Sequence, residues 1–327
     1  MPVSHREDSS DLGGGPVLPR LAPLAGRRIA VTGASGFIGS CLVELLRPVG
    51  AEVHGVSRRA QQPVAGVARW WQADTRDLAA VRRLFEELRP DVVFDLASYV
   101  GGGREIALVP ETLHSNLVST VNVLVAATEL GVGRIVVAGS TEEPDASDPA
   151  PVPAFPYAAA KWAASGYARM CHALYGTPVT IARLAMIYGP RQRDARKLVP
   201  YVVLSLLRRE TPRLSSGVRL ADWTLGDDCV EGLALAAVVP EAVGRTVELG
   251  TGRLTSVRDV ALEIAAIVGN GVEPEFGALA DRAQEQDHRA YADATEQVLG
   301  WRAKTPLSEG LLRSVEWYRR ELELGAF

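Results

Sequence analysis

Ile29-Ala-Val-Thr-Gly-Ala-Ser-Gly-Phe-Ile-Gly39 decides the fold. Ile29 to Val31 is a short apolar run that breaks at Thr32-Gly33, and an apolar helical pattern begins at Phe37 and Ile38. The order is strand, glycine turn, helix start. Gly33, Gly36 and Gly39, with Ser35 between them, suit a turn where backbone comes close to a pyrophosphate and the helix N-terminus points at the anion. A glycine turn alone is equally an ordinary strand-to-helix connection, so the rest of the chain has to discriminate.

Outward from this stretch, strand and helix signals alternate from Arg27. Strands are predicted at 29–31, 51–56, 70–73, 92–97, 134–139 and 180–188. Helices are predicted at 37–46, stopped by Pro48 and Gly50, at 78–88, ended by Pro90, at 113–130, closed by Gly131, and at 157–175, closed by Gly176. Repeated units of this length predict an α/β fold, a Rossmann-type doubly wound parallel sheet covered on both faces. After Gly189-Pro190 the rhythm changes. Helices are expected at 198–208, 227–238, 257–268 and 307–320, with a short strand at 247–249. This reads as a smaller, discontinuous lobe over 191–327, with segments near 220–255 returning to the 26–190 domain. Residues 1–25, polar and rich in Gly and Pro, read as a flexible tail.

The 327 residues carry a net charge of −4, with 47% hydrophobic and 23% charged residues. Such a balance predicts a cytoplasmic globular protein without a nucleic-acid footprint or a membrane span. The three cysteines, Cys41, Cys171 and Cys229, form no CxxC, and the five histidines do not cluster, so no metal site is expected.

The second strand is followed by Ser57-Arg58-Arg59. A carboxylate there would accept from a ribose 2′-hydroxyl; arginines instead bind a 2′-phosphate through charge-assisted bonds. NADP(H) is therefore the expected cofactor, the alternative being two solvated surface arginines. Asp74, with Thr75 beside it, ends the third strand and suits either an adenine amino group or a helix N-cap. Leu96-Ala97-Ser98 ends the fourth strand, at the edge where such sheets bind ligands.

Tyr157 and Lys161 stand four residues apart at a helix start, so their side chains share a face. A nearby ammonium stabilises a phenolate and lowers a tyrosine pKa from roughly 10. Ser140-Thr141 follows the fifth strand, where a hydroxyl can bond a substrate oxygen that gains or loses charge, though either residue alone also suits a simple turn.

With these elements in order, the sequence resembles the extended short-chain dehydrogenases/reductases that act on nucleotide sugars, from about Arg27 to Tyr318. The matching motifs include Thr32 to Gly39, Asp74, Asn116 with Thr120 and Asn122, Ser140-Thr141, Tyr157/Lys161, Arg183 to Tyr188-Gly-Pro190 and Lys197-Leu198-Val-Pro200. Asp222-Trp-Thr, Asp227-Asp228, Gly250-Thr-Gly252 and Ala292-Asp293 with Leu299-Gly-Trp301 match too. The resemblance implies a Thr141, Tyr157, Lys161 triad, Asn116 at the cofactor, a lobe that binds the sugar's nucleotide diphosphate, and a homodimer packed through the helices at 113–130 and 157–175.

Four departures bear on the reaction. Asp95 replaces a common His, Met186 replaces an Asn that touches the sugar in relatives, and Ala221 replaces an Arg that Arg219 can supply from two residues earlier. Glu142-Glu143 follows Thr141. In this the chain is similar to nucleotide-sugar 4,6-dehydratases, whose acidic residues at that point abstract the C5 proton and assist loss of the C6 hydroxyl; here they suit that role, sugar positioning or a charged surface. Tyr99 and Arg104, flanking a triple-glycine loop, should face the sugar. Lys197 and Arg282 are the stronger diphosphate ligands in a pool with Arg191, Arg193, Arg196 and Arg219.

The expected activity is NADPH-dependent reduction of the C4 ketone of a nucleotide-linked 4-keto-6-deoxyhexose, dTDP-linked in the first instance. A 4,6-dehydratase, a 4-epimerase and an NADP(H)-sensing binding protein stay open. The Ala- and Arg-rich composition suggests a high-GC bacterial gene, and reductases of this kind often serve antibiotic glycosylation.

Overall fold

The computed structural model describes residues 19–144, 150–282 and 287–327. Its first half alternates as the glycine stretch predicts. In chain order come β1 (Arg28–Thr32), α1 (Phe37–Leu46), β2 (Glu52–Ser57), β3 (Arg69–Gln72), α2 (Leu78–Leu88) and β4 (Val92–Asp95). Helix α2 shows why these boundaries are legible. Asp77 caps its start by accepting from the N–H groups of Ala79 and Ala80, and Val81, Leu84, Phe85 and Leu88 bury one face. Then follow α3 (Leu108–Thr112), α4 (Ser119–Leu130), β5 (Arg134–Ser140), α5 (Pro156–Tyr175) and β6 (Val179–Leu184). The π-helical turn Leu113–Val118 joins α3 to α4, so the predicted 113–130 helix is the later part of a longer helical run.

The remaining elements are β7 (Met186–Tyr188), α6 (Leu198–Leu207), β8 (Leu220–Leu225), α7 (Gly226–Val238), β9 (Thr246–Leu249), β10 (Leu254–Ser256), α8 (Val257–Val268), α9 (Ala292–Leu299) and α10 (Leu307–Glu323). Seven parallel strands order as β3-β2-β1-β4-β5-β6-β9, and β10-β8-β7 form a second sheet. One apolar layer packs α1 and α7 against the large sheet, around Leu42, Leu46, Leu233 and Leu249. The other packs α2, α4 and α5, around Phe85, Val123, Leu124 and Ala168. A third core, with Tyr188, Val202, Trp223, Ile264 and Tyr318, joins α6, α8 and α10 to the small sheet. Helix α7 and strand β9 thus belong to the large sheet, whereas β8 and β10 do not.

Three expectations change here. Most of the 1–25 tail lies outside the described residues, but Pro19–Leu24 is a 3-10 helix and not a tail: Leu21 and Leu24 are buried in the layer that holds α7. The predicted fourth strand stops at Asp95, because the N–H groups of Leu96 and Ala97 turn to the Thr32 hydroxyl, both at 3.0 Å. The predicted 180–188 strand is two strands. After Ala185, Met186–Tyr188 leave the large sheet and pair with Trp223–Leu225, which seats Tyr188 in the third core.

Candidate active site

Strand order reverses beside β1, so a crevice opens at the carboxyl ends of β1 and β4. The glycine turn lines it. Gly33 has φ +68°, and a Cβ there would stand 3.0 Å from Ala97 backbone; a Cβ on Gly39 would stand 2.2 Å from the Gly33 carbonyl oxygen. Only glycine lets this turn close on the β4 end and expose backbone N–H groups at the start of α1. Thr32 and Thr120 donate to the two oxygens of Asp95, each at 2.7 Å, which identifies the partners of that buried carboxyl. Burial pushes the Asp95 carboxyl up, against those bonds and the charge of Lys161.

At the end of β2, Arg58 and Arg59 are exposed, and the Ser57 hydroxyl accepts from the Arg59 N–H at 3.3 Å and from Gln61 at 3.1 Å. Asp74 does not cap α2; Asp77 does. Asp74 pairs with Arg76, 2.7 Å between Nη2 and Oδ2, and that bond holds its carboxyl below the usual range. Thr75 shares a hydrogen bond with Ser119 at 2.6 Å, and its carbonyl accepts from Asn122 at 3.0 Å, so its backbone is pinned beside Asp74.

Helix α5 begins with Pro156 and carries Tyr157 and Lys161 toward the end of β5. Lys161 Nζ donates to the Ala138 carbonyl at 2.7 Å and lies 6.0 Å from the Tyr157 ring centre. Burial lowers the Lys161 pKa and outweighs the opposing charges of Asp95 and Glu143. The expected lowering of the Tyr157 pKa is not what the structure gives. Burial pushes the phenol up to about 12, a hydrogen bond with Ser140 pulls it back, and Glu143 and Glu142 raise it. With its ammonium turned to Ala138, Lys161 does not offset burial of the phenol. Thr141 is buried, its N–H donating to the Leu184 carbonyl at 3.0 Å, so β6 fixes the turn that carries it.

The loop after β4 is held from three sides. Asn116 was expected at the cofactor, but it is 0% exposed and its amide is committed to Tyr99, accepting from the N–H at 2.7 Å and donating to the carbonyl at 2.9 Å. The π-helical turn aims it there, so it positions the loop. Ser98 donates to the Tyr99 carbonyl at 3.3 Å. Lys197, just before α6 and Leu198, donates to the Val100 carbonyl at 2.9 Å, and an Arg282 nitrogen lies 2.7 Å from the point a Gly102 Cβ would occupy. Arg104 donates to the Ala154 carbonyl at 3.1 Å and lies over the Phe155 ring. Met186 sits half-buried on β7.

The other arginines of the expected diphosphate pool have protein partners. Arg193 pairs with Glu321 at 2.9 Å, Arg196 with Asp194 at 2.8 Å, and Arg219 with Glu142. Arg191 lies against Cys41. The two glutamates after Thr141 separate: Glu142 faces Arg219 of the lobe, while Glu143 is buried against Arg183. Sequence reasoning missed the Ser140–Tyr157 bond and the Glu143–Arg183 pair. A polar residue inside an apolar strand, Arg183, was the available signal for the second. Among the described residues no group of three or more His, Cys, Asp or Glu is placed to hold a metal, and no helix is long and apolar enough to cross a membrane.

The chain is 33% identical over 317 residues to the UDP-glucose 4-epimerase of Mycolicibacterium smegmatis, covering 90% of this chain and 99% of that protein. It is 30% identical over 334 residues to a probable dTDP-glucose 4,6-dehydratase of Sinorhizobium fredii, covering 89% and 92%. Among solved structures, MoeE5 in complex with UDP-glucuronic acid and NAD superposes with a TM-score of 0.80 at 31% identity, covering 90% of this chain and 99% of that one. The sequence model for the NAD dependent epimerase/dehydratase family matches residues 29–250. With the glycine turn, Tyr157 and Lys161 at one sheet edge, these matches lead to one conclusion: the chain belongs to the NAD dependent epimerase/dehydratase family.

Proposed function

We propose that this enzyme reduces the C4 ketone of a nucleotide-linked 4-keto-6-deoxyhexose with NADPH. The observation that carries the reductive direction is the end of β2, where two exposed arginines stand and no carboxylate does. Arg58 and Arg59 suit a 2′-phosphate, and a 2′-phosphorylated dinucleotide is the cell's reductant for net reduction. The turn from Gly33 to Gly39, with Ser35, Gly36, Phe37 and Ile38, fits a pyrophosphate, because the room a side chain would fill is kept free by glycine. Asp74 and Thr75 would hold the adenine side, and Leu96, Ala97 and Ser98 would line the crevice toward the nicotinamide. Bound there, the cofactor supplies hydride to C4.

The protein's own groups handle the proton. A phenol held up at about 12 is protonated at neutral pH, which suits Tyr157 to donate to the oxygen that develops charge at C4. Thr141, and Ser140 through Tyr157, would hydrogen-bond that oxygen, and Lys161 would hold the nicotinamide ribose. Tyr99, Arg104, Met186, Lys197, Leu198 and Arg282 would surround the sugar and its diphosphate, dTDP being our first choice of nucleotide. A homodimer would cover Tyr167, Met170, Leu174 and Tyr175 of α5, which are all exposed. Met170→Asp should then lower the sedimentation coefficient from that of a dimer toward that of a monomer.

A second reading, 4-epimerisation, is favoured by the identity to the Mycolicibacterium smegmatis epimerase and needs no acidic group beyond the triad. To test the first, the enzyme is mixed with NADPH and dTDP-4-keto-6-deoxyglucose and nicotinamide absorbance is followed. Stoichiometric oxidation with a reduced sugar nucleotide is expected. Conversion of dTDP-glucose or a UDP sugar to its C4 epimer, with no net oxidation of NADPH by any 4-keto sugar, would replace reduction by the second reading. A 4-keto product from a hexose without added reductant would replace both by dehydration through Glu142.

A further inference from the structure

Glu143 stands two residues after Thr141, where an acid of the reaction is expected, yet its side chain is 0% exposed. Its Oε1 accepts from the Ser140 N–H at 2.8 Å. Its Oε2 accepts from Arg183 Nε at 3.1 Å and lies 3.0 Å from Nη2, so two guanidinium nitrogens converge on this one oxygen. A Cβ on Gly139 would stand 2.6 Å from Oε1, so the missing side chain at 139 is what lets the carboxylate fold back over β5.

Strand register extends the arrangement. Gly139 lies beside Arg183, and Arg183 beside Glu248. Arg183 Nη1 lies 3.6 Å from Glu248 Oε1. The second Glu248 oxygen accepts from the Tyr291 N–H at 2.9 Å and lies 3.2 Å from His288 Nε2. A chain of opposite charges, Glu143, Arg183 and Glu248, therefore runs from the turn after β5 across β6 and β9 and ends in hydrogen bonds to the segment before α9. That segment also meets the small sheet, where the Asp287 carboxylate accepts from the Leu220 N–H at 3.0 Å.

We propose that Glu143 is a positioning residue: held in place by Arg183, it fixes the Ser140–Thr141 turn against Tyr157 through the Ser140 N–H, and Glu248 anchors the same chain to the lobe side. Glu143 then has no part in proton abstraction from the sugar, and of the two glutamates only Glu142 faces the lobe. Glu143 also lies near enough to raise the Tyr157 pKa, in keeping with a place just behind the phenol. The kinetic arm of the test rests on the hydride chemistry proposed above; the exchange arm does not.

The test is a double-mutant cycle with Glu143→Gln and Arg183→Met, read by turnover and by amide hydrogen exchange. Acting as one unit, each substitution should lower kcat by about 30-fold with KM within about 3-fold, and the double variant should be no more than about 3-fold worse than either. Losses that multiply in the double variant would mean that Glu143 acts on substrate directly, and would overturn the proposal. In the exchange arm, Arg183→Met should speed exchange of the peptide spanning 138–144 by about tenfold or more, although the Arg183 side chain reaches that peptide only through the Glu143 carboxylate. Unchanged protection would also overturn it. If either variant fails to fold, Glu248→Gln replaces it, with the same directions expected and smaller effects. Should the wild type turn over no sugar nucleotide, the proposed function falls while the exchange arm still decides the positioning role.

Discussion

Tyr157 and Gly39 show how much a single position can decide. The Tyr157 phenol is the proton donor in the proposed reaction, and general acid catalysis contributes typically 10²–10⁴-fold, so Tyr157→Phe should lower kcat by about 10³-fold. Cofactor affinity, measured by quenching of protein fluorescence, should stay within about 3-fold, because the hydroxyl is not part of the pyrophosphate turn. Activity retained by Tyr157→Phe would place the donor elsewhere. Gly39 is decided by space. A methyl group 2.2 Å from a backbone oxygen forces the turn and α1 apart, and such overpacking costs roughly 1–3 kcal/mol. Gly39→Ala should therefore lower both Tm and cofactor affinity.

At the scale of elements, the ends of strands do most of the functional work. The β2 end should set cofactor choice. Charge-assisted hydrogen bonds contribute about 1.5–3 kcal/mol, so Arg58→Ala with Arg59→Ala should raise KM for NADPH by about 10- to 100-fold and leave that for NADH nearly unchanged. Equal effects on both cofactors would show that these arginines do not read the 2′-phosphate. Asp222 near the start of β8 does a structural task of similar density. It is 1% exposed and accepts from the Thr251 N–H at 2.8 Å and hydroxyl at 2.6 Å, the Gly252 N–H at 2.8 Å and the Ala290 N–H at 3.2 Å. It thereby ties β8, the turn after β9 and the segment before α9 together. Removing a buried acceptor strands each donor, at a cost of roughly 1–3 kcal/mol apiece, so Asp222→Ala should lower stability by about 3 kcal/mol or more in urea unfolding. These strand-end positions were legible from order alone. Their partners were not: Asp222 matched a motif, but nothing local indicated that it gathers Thr251, Gly252 and Ala290.

For the whole molecule, the buried charge chain makes stability depend on pH. Burial pushes the Glu248 carboxyl up, but bonds to His288 and the Tyr291 N–H and the charge of Arg183 outweigh it and hold the group below its ordinary value of 4.5. A folded pKa below the unfolded one stabilises the native state fully above the unfolded value; that stability is lost as pH falls through the folded value. Glu248→Gln should thus have a lower Tm than wild type at pH 7 and a smaller further fall between about pH 4.5 and pH 3. Parallel Tm curves for the two proteins over that range would show that Glu248 does not titrate with folding.

The sequence by itself determined what short range can encode. Helices α1, α2 and α8 begin and end where spacing, caps and Pro or Gly predict, because a 3.6-residue apolar period and a cap are local properties. The glycine turn, the β2 arginines and the Tyr157/Lys161 pair were readable for the same reason. Tertiary structure alone decided who meets whom. Glu142 and Glu143 are neighbours in the chain, yet one joins Arg219 across 77 residues and the other Arg183 across 40. Tertiary structure also decided that Met186–Tyr188 leaves the large sheet, that Asn116 serves Tyr99, and that burial raises Tyr157. Each depends on which side chains desolvate and pair when distant segments close on one another, and no local pattern carries that information.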